Sequence, residues 1–496
     1  MRSLRWGVLG FLALLLSWHV DTWHTPNPTS RALLTIALVE DRAYSIDRFR
    51  DWTEDKAFVR GHYYSDKAPL ASWITAPLYA TVHALQGNPR SPYPSYWALG
   101  SGAVASGILP ALFFAAILWG ALRVGRASLP LSVLYLVCAL PCSLLGIYSG
   151  TFFGHVLSGL LLVLAWRAVF DAPSAVRAGL HTGLAALAEF PLLLFAPFLL
   201  LGCLRQAPAG RRADSVLRFG LGLLPGLLLI GLHNRLTTGN ALEFAYKHVA
   251  SDSFAHMRHL YGFSLPSLTA LGELLLSPAR GLAIYLPLAA VLIFFGLRRG
   301  GAWRTLPGLR AISLFSFLLL VSSYRMWEGG WSFGPRHLIP AAMVLLYEGA
   351  RLVPSRASRA WTGALALAAA LGGVQVFAAK ATRLYMVPPD LGFPLGELFI
   401  PKLLAGELNR NVLPTFLWNA PPLASHLLWA ALLISGTLYL SRTASMLSDP
   451  LANPLPRTRR EPHPVRRRPS HPQPLPGHKK RPPPRRMAAK VGAWSA

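Results

Sequence analysis

Charge is scarce in this chain. Only 14% of its 496 residues are Asp, Glu, Lys or Arg, where a soluble chain carries about 25%. Acids are the scarcest: 21 stand against 48 basic residues, for a formal net charge of +27. Cysteine is nearly missing, and Cys138, Cys142 and Cys203 all fall in apolar segments. They read as small apolar helix residues, so no disulfide framework is expected. There is no P-loop, no GxGxxG after a strand, no HExxH and no CxxC pair. The basic loops are too short to fold a nucleotide-binding domain, which excludes ATP hydrolysis by any recognisable device. No cofactor is called for, and nothing in the sequence supports a divalent metal. What the chain has is apolar length: 53% of its residues are hydrophobic, and mean hydropathy is +0.39. These features exclude a soluble multidomain protein and predict an all-α polytopic membrane protein.

The basic excess reads as orientation rather than nucleic-acid binding, because loop Lys and Arg mark the cytoplasmic side. Residues 4–20, beside Arg2 and Arg5, read as an uncleaved signal anchor with its N-terminus inside. Residues 21–95 form a long first external loop, rich in acids yet near neutral, with 69–86 as an interfacial helix. Spans then follow at roughly 96–122, 129–147, 154–170, 178–189, 190–204, 215–233, 281–297, 309–324, 337–353, 361–379 and 425–441. With the first helix, about twelve transmembrane helices result. This assignment puts Arg123/Arg126, Arg205/Arg211/Arg212, Arg298/Arg299/Arg304 and Arg356/Arg359 inside. The expected place is a bacterial inner membrane, with both termini cytoplasmic. Residues 1–441 form the membrane domain, and 442–496 a disordered Pro/Arg-rich cytoplasmic tail with 13 basic and 2 acidic residues. That tail suits anionic lipid, so membrane lipids are expected partners and nucleic acid is not.

The first loop is the richest in candidate chemistry. A carboxylate there can serve as general base, and a neighbouring cation can hold a phosphate leaving group. GHYYSDKAP sets Tyr64, Asp66 and Lys67 before the interfacial helix, where lipid headgroups lie. Asp47 and Asp55 are the candidate catalytic acids, and proximity to Lys67 favours Asp55. A second cluster, YRMWEGGWSFGPRHLIPA (324–341), offers glycines for tight turns with Trp327, Arg336 and His337. Arg280, His155 in YSGTFFGH, and Glu189 before Pro191 complete the set. A carboxylate such as Glu189 is costly in a membrane unless it faces a cavity.

Taken in order, the KAP motif (Lys67, Ala68, Pro69), YSGTFFGH, AEFP, HNRLTTGNALEFAY, SPARGL and WEGGWSFGPRHLIP resemble the GT-C superfamily of membrane glycosyltransferases. The set is similar to protein O-mannosyltransferases and aminoarabinose transferases over roughly residues 1–440. That resemblance implies a polyprenyl-phosphate sugar donor, an inverting displacement on the outer face, and a lipid, glycan or protein acceptor. Asp55 or Asp47 would be catalytic, with Arg31, Tyr64, Lys67, His155, Glu189, Arg280, Trp327, Arg336 and His337 binding substrate and no metal site. One departure matters. Family members often carry an Asp-Glu pair before the first-loop arginine, whereas HTPNPTS precedes Arg31 here. The rival readings are a lipid or polysaccharide transporter and a catalytically inactive scaffold.

Overall fold

The computed structural model describes residues 2–298 and 308–448. The expectations for Arg299, Arg304 and the tail beyond 448 lie outside them. The described chain is largely helical and of multi-span membrane type. Four helices are long and apolar enough to cross a membrane: Tyr96–Val124, Ala209–Thr238, Arg359–Ala381 and Pro422–Ser448. At 1.5 Å per residue, the 27 residues of the last reach about 40 Å, more than a hydrocarbon core of about 30 Å.

Other expected spans are shorter or interrupted, each for a visible reason. The stretch 129–147 divides into Leu129–Ala139 and Leu144–Tyr148, the second capped by the Ser143 hydroxyl. The next pair is broken at Glu189, whose extended backbone ends Ala175–Ala188 before a 3-10 turn, Phe190–Leu194, leads into Phe195–Gln206. A proline cannot continue the hydrogen-bond ladder, and Pro191 stands at that break. Pro287 likewise separates Leu282–Tyr285 from Pro287–Arg298. Twelve uninterrupted spans are therefore not what the described residues contain.

The ends of the chain meet. The first helix, Arg2–Ser17, packs on Pro422–Ser448: the Trp18 indole donates to the Ser425 carbonyl at 3.1 Å, and the Trp429 indole to the Leu15 carbonyl at 3.1 Å. Between them His19 Nε2 lies 3.0 Å from His426 Nδ1. Elsewhere two helices touch backbone to backbone. A Cβ on Gly179 or Gly183 of Ala175–Ala188 would strike Phe219 or Leu223 of Ala209–Thr238, and one on Gly222 or Gly226 would strike Val176 or Gly183. Two facing GxxxG pairs thus let these helices approach closely.

The first loop is folded. A helix, Pro26–Ile36, buries nine of its eleven residues. Leu70–Leu85 forms where an interfacial helix was expected, with Pro77 inside it. Between them lies a departure from the all-α expectation: strands β1 (Lys56–Val59) and β2 (His62–Ser65) form an antiparallel hairpin. Arg60 and Gly61 both have positive φ, 52° and 86°, the two-residue turn that matches strand twist. The hairpin delivers Asp55, Asp66 and Lys67 to the membrane domain.

Candidate active site

Lys67 sits on the far side of that hairpin, 6% exposed. Its ammonium lies 2.9 Å from Asp55 and 3.2 Å from Asp66. Burial works against the charge, but the two carboxylates outweigh it and hold Lys67 above its ordinary pKa. Burial pushes Asp66 the other way, up to about 6, with Lys67 opposing. One cation between two carboxylates makes a triad of net charge −1 when both acids are ionised.

Arg31 is a second buried cation, 1% exposed. Pro26–Ile36 aims it inward, where Nη2 donates to Glu189 at 2.8 Å, Nη1 to the Ala68 carbonyl at 2.9 Å and Nε to Asn27 at 3.3 Å. It thus joins the first loop to the break before Pro191. The Glu189 carboxylate also lies 3.5 Å from His155 Nδ1, at the start of His155–Phe170. Negative charge at a helix N-terminus is favourable.

Arg336 differs from both. Its guanidinium lies over the Phe153 ring at 4.9 Å, Nε is buried without a partner, and among the described residues its side chain makes no ion pair or hydrogen bond. Arg31, Arg336 and Lys67 all act electrostatically on Glu189. Tyr324 lies within the same reach of Lys67 and Arg336. The three cations therefore share one neighbourhood.

That neighbourhood opens into a cavity of about 310 Å³. Its walls are apolar and aromatic, with Phe190, Leu192, Phe244 and Phe317 among them, and its polar groups are His155, Glu189, Tyr246, Tyr261, Tyr324 and His337. Burial pushes the Tyr246 phenol well above its ordinary pKa, so it stays a neutral donor; Lys67 lies 5.7 Å from its ring centre. The three cations are not on the cavity wall itself but lie around its Glu189 end. An apolar chamber with polar groups at one end and cations behind them fits an amphiphile that carries phosphate.

No family model matches the chain, and no curated protein does. Among solved structures it is similar to the crystal structure of ArnT from Cupriavidus metallidurans in the apo state. The TM-score is 0.46 and the identity 16%, over 88% of this chain and 75% of that one.

Several expected residues fall elsewhere. Asp47 does not reach Lys67: it lies on the loop surface, 2.7 Å from His62 and accepting the Tyr63 N–H at 2.6 Å. Burial acts against it, yet those two donors hold its carboxyl below the ordinary range. Asp55 reaches Lys67 but is not on the cavity wall. Arg280 is 1% exposed, and its donors go to the carbonyls of Ala279, Glu328, Gly330, Val387 and Pro388. It clamps the glycine-rich turn at 328–330 and is poorly free for phosphate. Trp327 packs on the main core. Tyr64 lies on β2 opposite Ala57, partly buried. Tyr246, Tyr324 and Phe190 were not anticipated as site residues. Tyr246 was visible in HNRLTTGNALEFAY, and Phe190 stands inside AEFP.

Proposed function

We propose that this protein is a membrane glycosyltransferase of GT-C type. It moves one sugar from a polyprenyl-phosphate donor to a lipid, glycan or protein acceptor on the external face of a bacterial inner membrane. The carrying observation is the amphiphilic cavity with Arg336 unpartnered beside it. The polyprenyl chain fits the aromatic and leucine wall, and its phosphate meets Arg336 with Lys67 opposite. Arg31 holds the floor in place. Asp55 and Asp66 keep Lys67 charged and aimed, so Asp55 contributes through the leaving phosphate. Departure of the phosphate, with the Arg336 guanidinium against its charge, supplies the driving force.

The test is to give membranes containing the full chain a panel of labelled polyprenyl-phosphate sugars. Transfer from at least one is expected. Charge-assisted hydrogen bonds contribute roughly 1.5–3 kcal/mol each, so Arg336→Gln should weaken donor use about ten- to a hundredfold. No transfer from any donor, with a folded protein, would favour the scaffold reading, which the acid-free stretch before Arg31 keeps in view.

A further inference from the structure

The first-loop acids leave the transfer without a base at the cavity wall. Asp55 is bound to Lys67 and Asp47 to His62. The wall itself holds a carboxylate and an imidazole side by side, Glu189 and His155. His155 is 5% exposed. Its Nδ1 faces Glu189 Oε1 at 3.5 Å, while its Nε2 is buried with no partner. A carboxylate at Nδ1 favours the tautomer with the proton there, which leaves Nε2 bare as an acceptor.

The local backbone is built for this approach. A Cβ at position 154 would stand 2.5 Å from Glu189 Oε1 and 2.8 Å from the Ala188 carbonyl, so Gly154 is what lets the carboxylate come alongside. Arg31 fixes the same oxygen from the other side at 2.8 Å. His337 stands edge-on to His155, ring centres 5.7 Å apart.

We propose that His155 is the general base of the transfer, with Glu189 as its positioning residue. This assignment rests on the glycosyltransferase reading and adds to it the group that takes the proton. The acceptor is then a hydroxyl or amine whose reacting atom must reach His155 Nε2, which is buried at the cavity wall and needs a small side-chain shift to open. As that atom bonds to the anomeric carbon, the bond from carbon to phosphate oxygen breaks and its electron pair leaves on the polyprenyl phosphate. The acceptor proton passes to Nε2 and then to water.

The experiment uses full-length protein and whichever donor the panel shows to be active. His155→Gln should lower turnover by about 10²–10⁴ and leave the donor KM within about threefold. The acid limb of the wild-type rate profile, where Nε2 is already protonated, should vanish in that variant. Imidazole added to His155→Ala should restore part of the rate, which a merely structural histidine would not allow. Glu189→Gln should move the acid limb to lower pH, and Glu189→Asp should move it back in part. An active wild type with His155→Gln at wild-type turnover overturns the assignment, as does a loss confined to donor KM. So does a folded His155→Ala that imidazole leaves inactive. If His155→Gln does not fold, the Glu189→Gln limb decides, and an unmoved limb overturns the proposal. A wild type inactive with every donor sinks the transfer reading itself, and this assignment with it.

Discussion

Asp66 should give donor binding a dependence on acidity. Its folded pKa, about 6, lies above an unfolded value of about 3.9. The folded state therefore binds the proton more tightly, and Asp66 contributes stability in acid that is lost as pH rises through about 6. At neutral pH it is ionised and competes for Lys67. Protonation removes one of the two anions around the ammonium. Donor KM should therefore fall as pH drops from about 7.5 to about 5.5, around that pKa, and Asp66→Asn should flatten the dependence; a slope unchanged in the variant would refute it. Arg280 makes the opposite kind of prediction. Arg280→Ala strands several buried carbonyls, each costing about 1–3 kcal/mol, so it should lower the melting temperature of the purified protein more than Arg336→Gln does. The partnership of Lys67 with Asp55 was legible because sequence proximity and charge pointed to it. The pairing of Arg31 with Glu189 spans 158 positions, and no local pattern announces it. His155 and Glu189 were each visible as polar residues in apolar surroundings, but their adjacency depends on how helix ends meet.

At the scale of elements, the breaks matter more than the spans. Proline and the AEFP motif announced the interruption at Glu189. The hairpin was missed because short strands carry a weak signal, although Val59-Arg60-Gly61-His62 holds the glycine of a tight turn. The paired glycines of Ala175–Ala188 and Ala209–Thr238 also went unread, since Gly179, Gly183, Gly222 and Gly226 look like four of 42 glycines until the helices are seen to face each other. Gly222→Leu should push them apart, at a cost of about 1–3 kcal/mol for overpacking. A Cβ at Gly220, on the same helix, meets nothing within 4 Å. Gly220→Leu should therefore melt like the wild type, and equal losses in both variants would sink the packing argument.

For the whole molecule, the distribution of charge predicts an orientation that distances alone do not. The basic turn Arg123–Arg126 and the first loop should lie on opposite sides of the membrane. A reporter fused after residue 125 is expected to behave as cytoplasmic, and a cysteine at position 60, on the hairpin turn, should react with an impermeant reagent from outside. External labelling near 125 would reverse the topology. The many-helix membrane character was legible because apolar length needs no tertiary information. The number of spans was not, because proline breaks and re-entrant pieces share the composition of true spans.

The meeting of the first and last helices has a consequence for biosynthesis. Trp18 and His19 wait 407 positions for Ser425 and His426. At roughly 5–20 residues per second, the opening helix waits about 20–80 s with its final partner not yet made. During that time the indole of Trp18 and the imidazole of His19 need provisional company, from lipid headgroups or from the insertion machinery. Insertion of Pro422–Ser448, rather than completion of the first loop, is then the event that brings the two helices together.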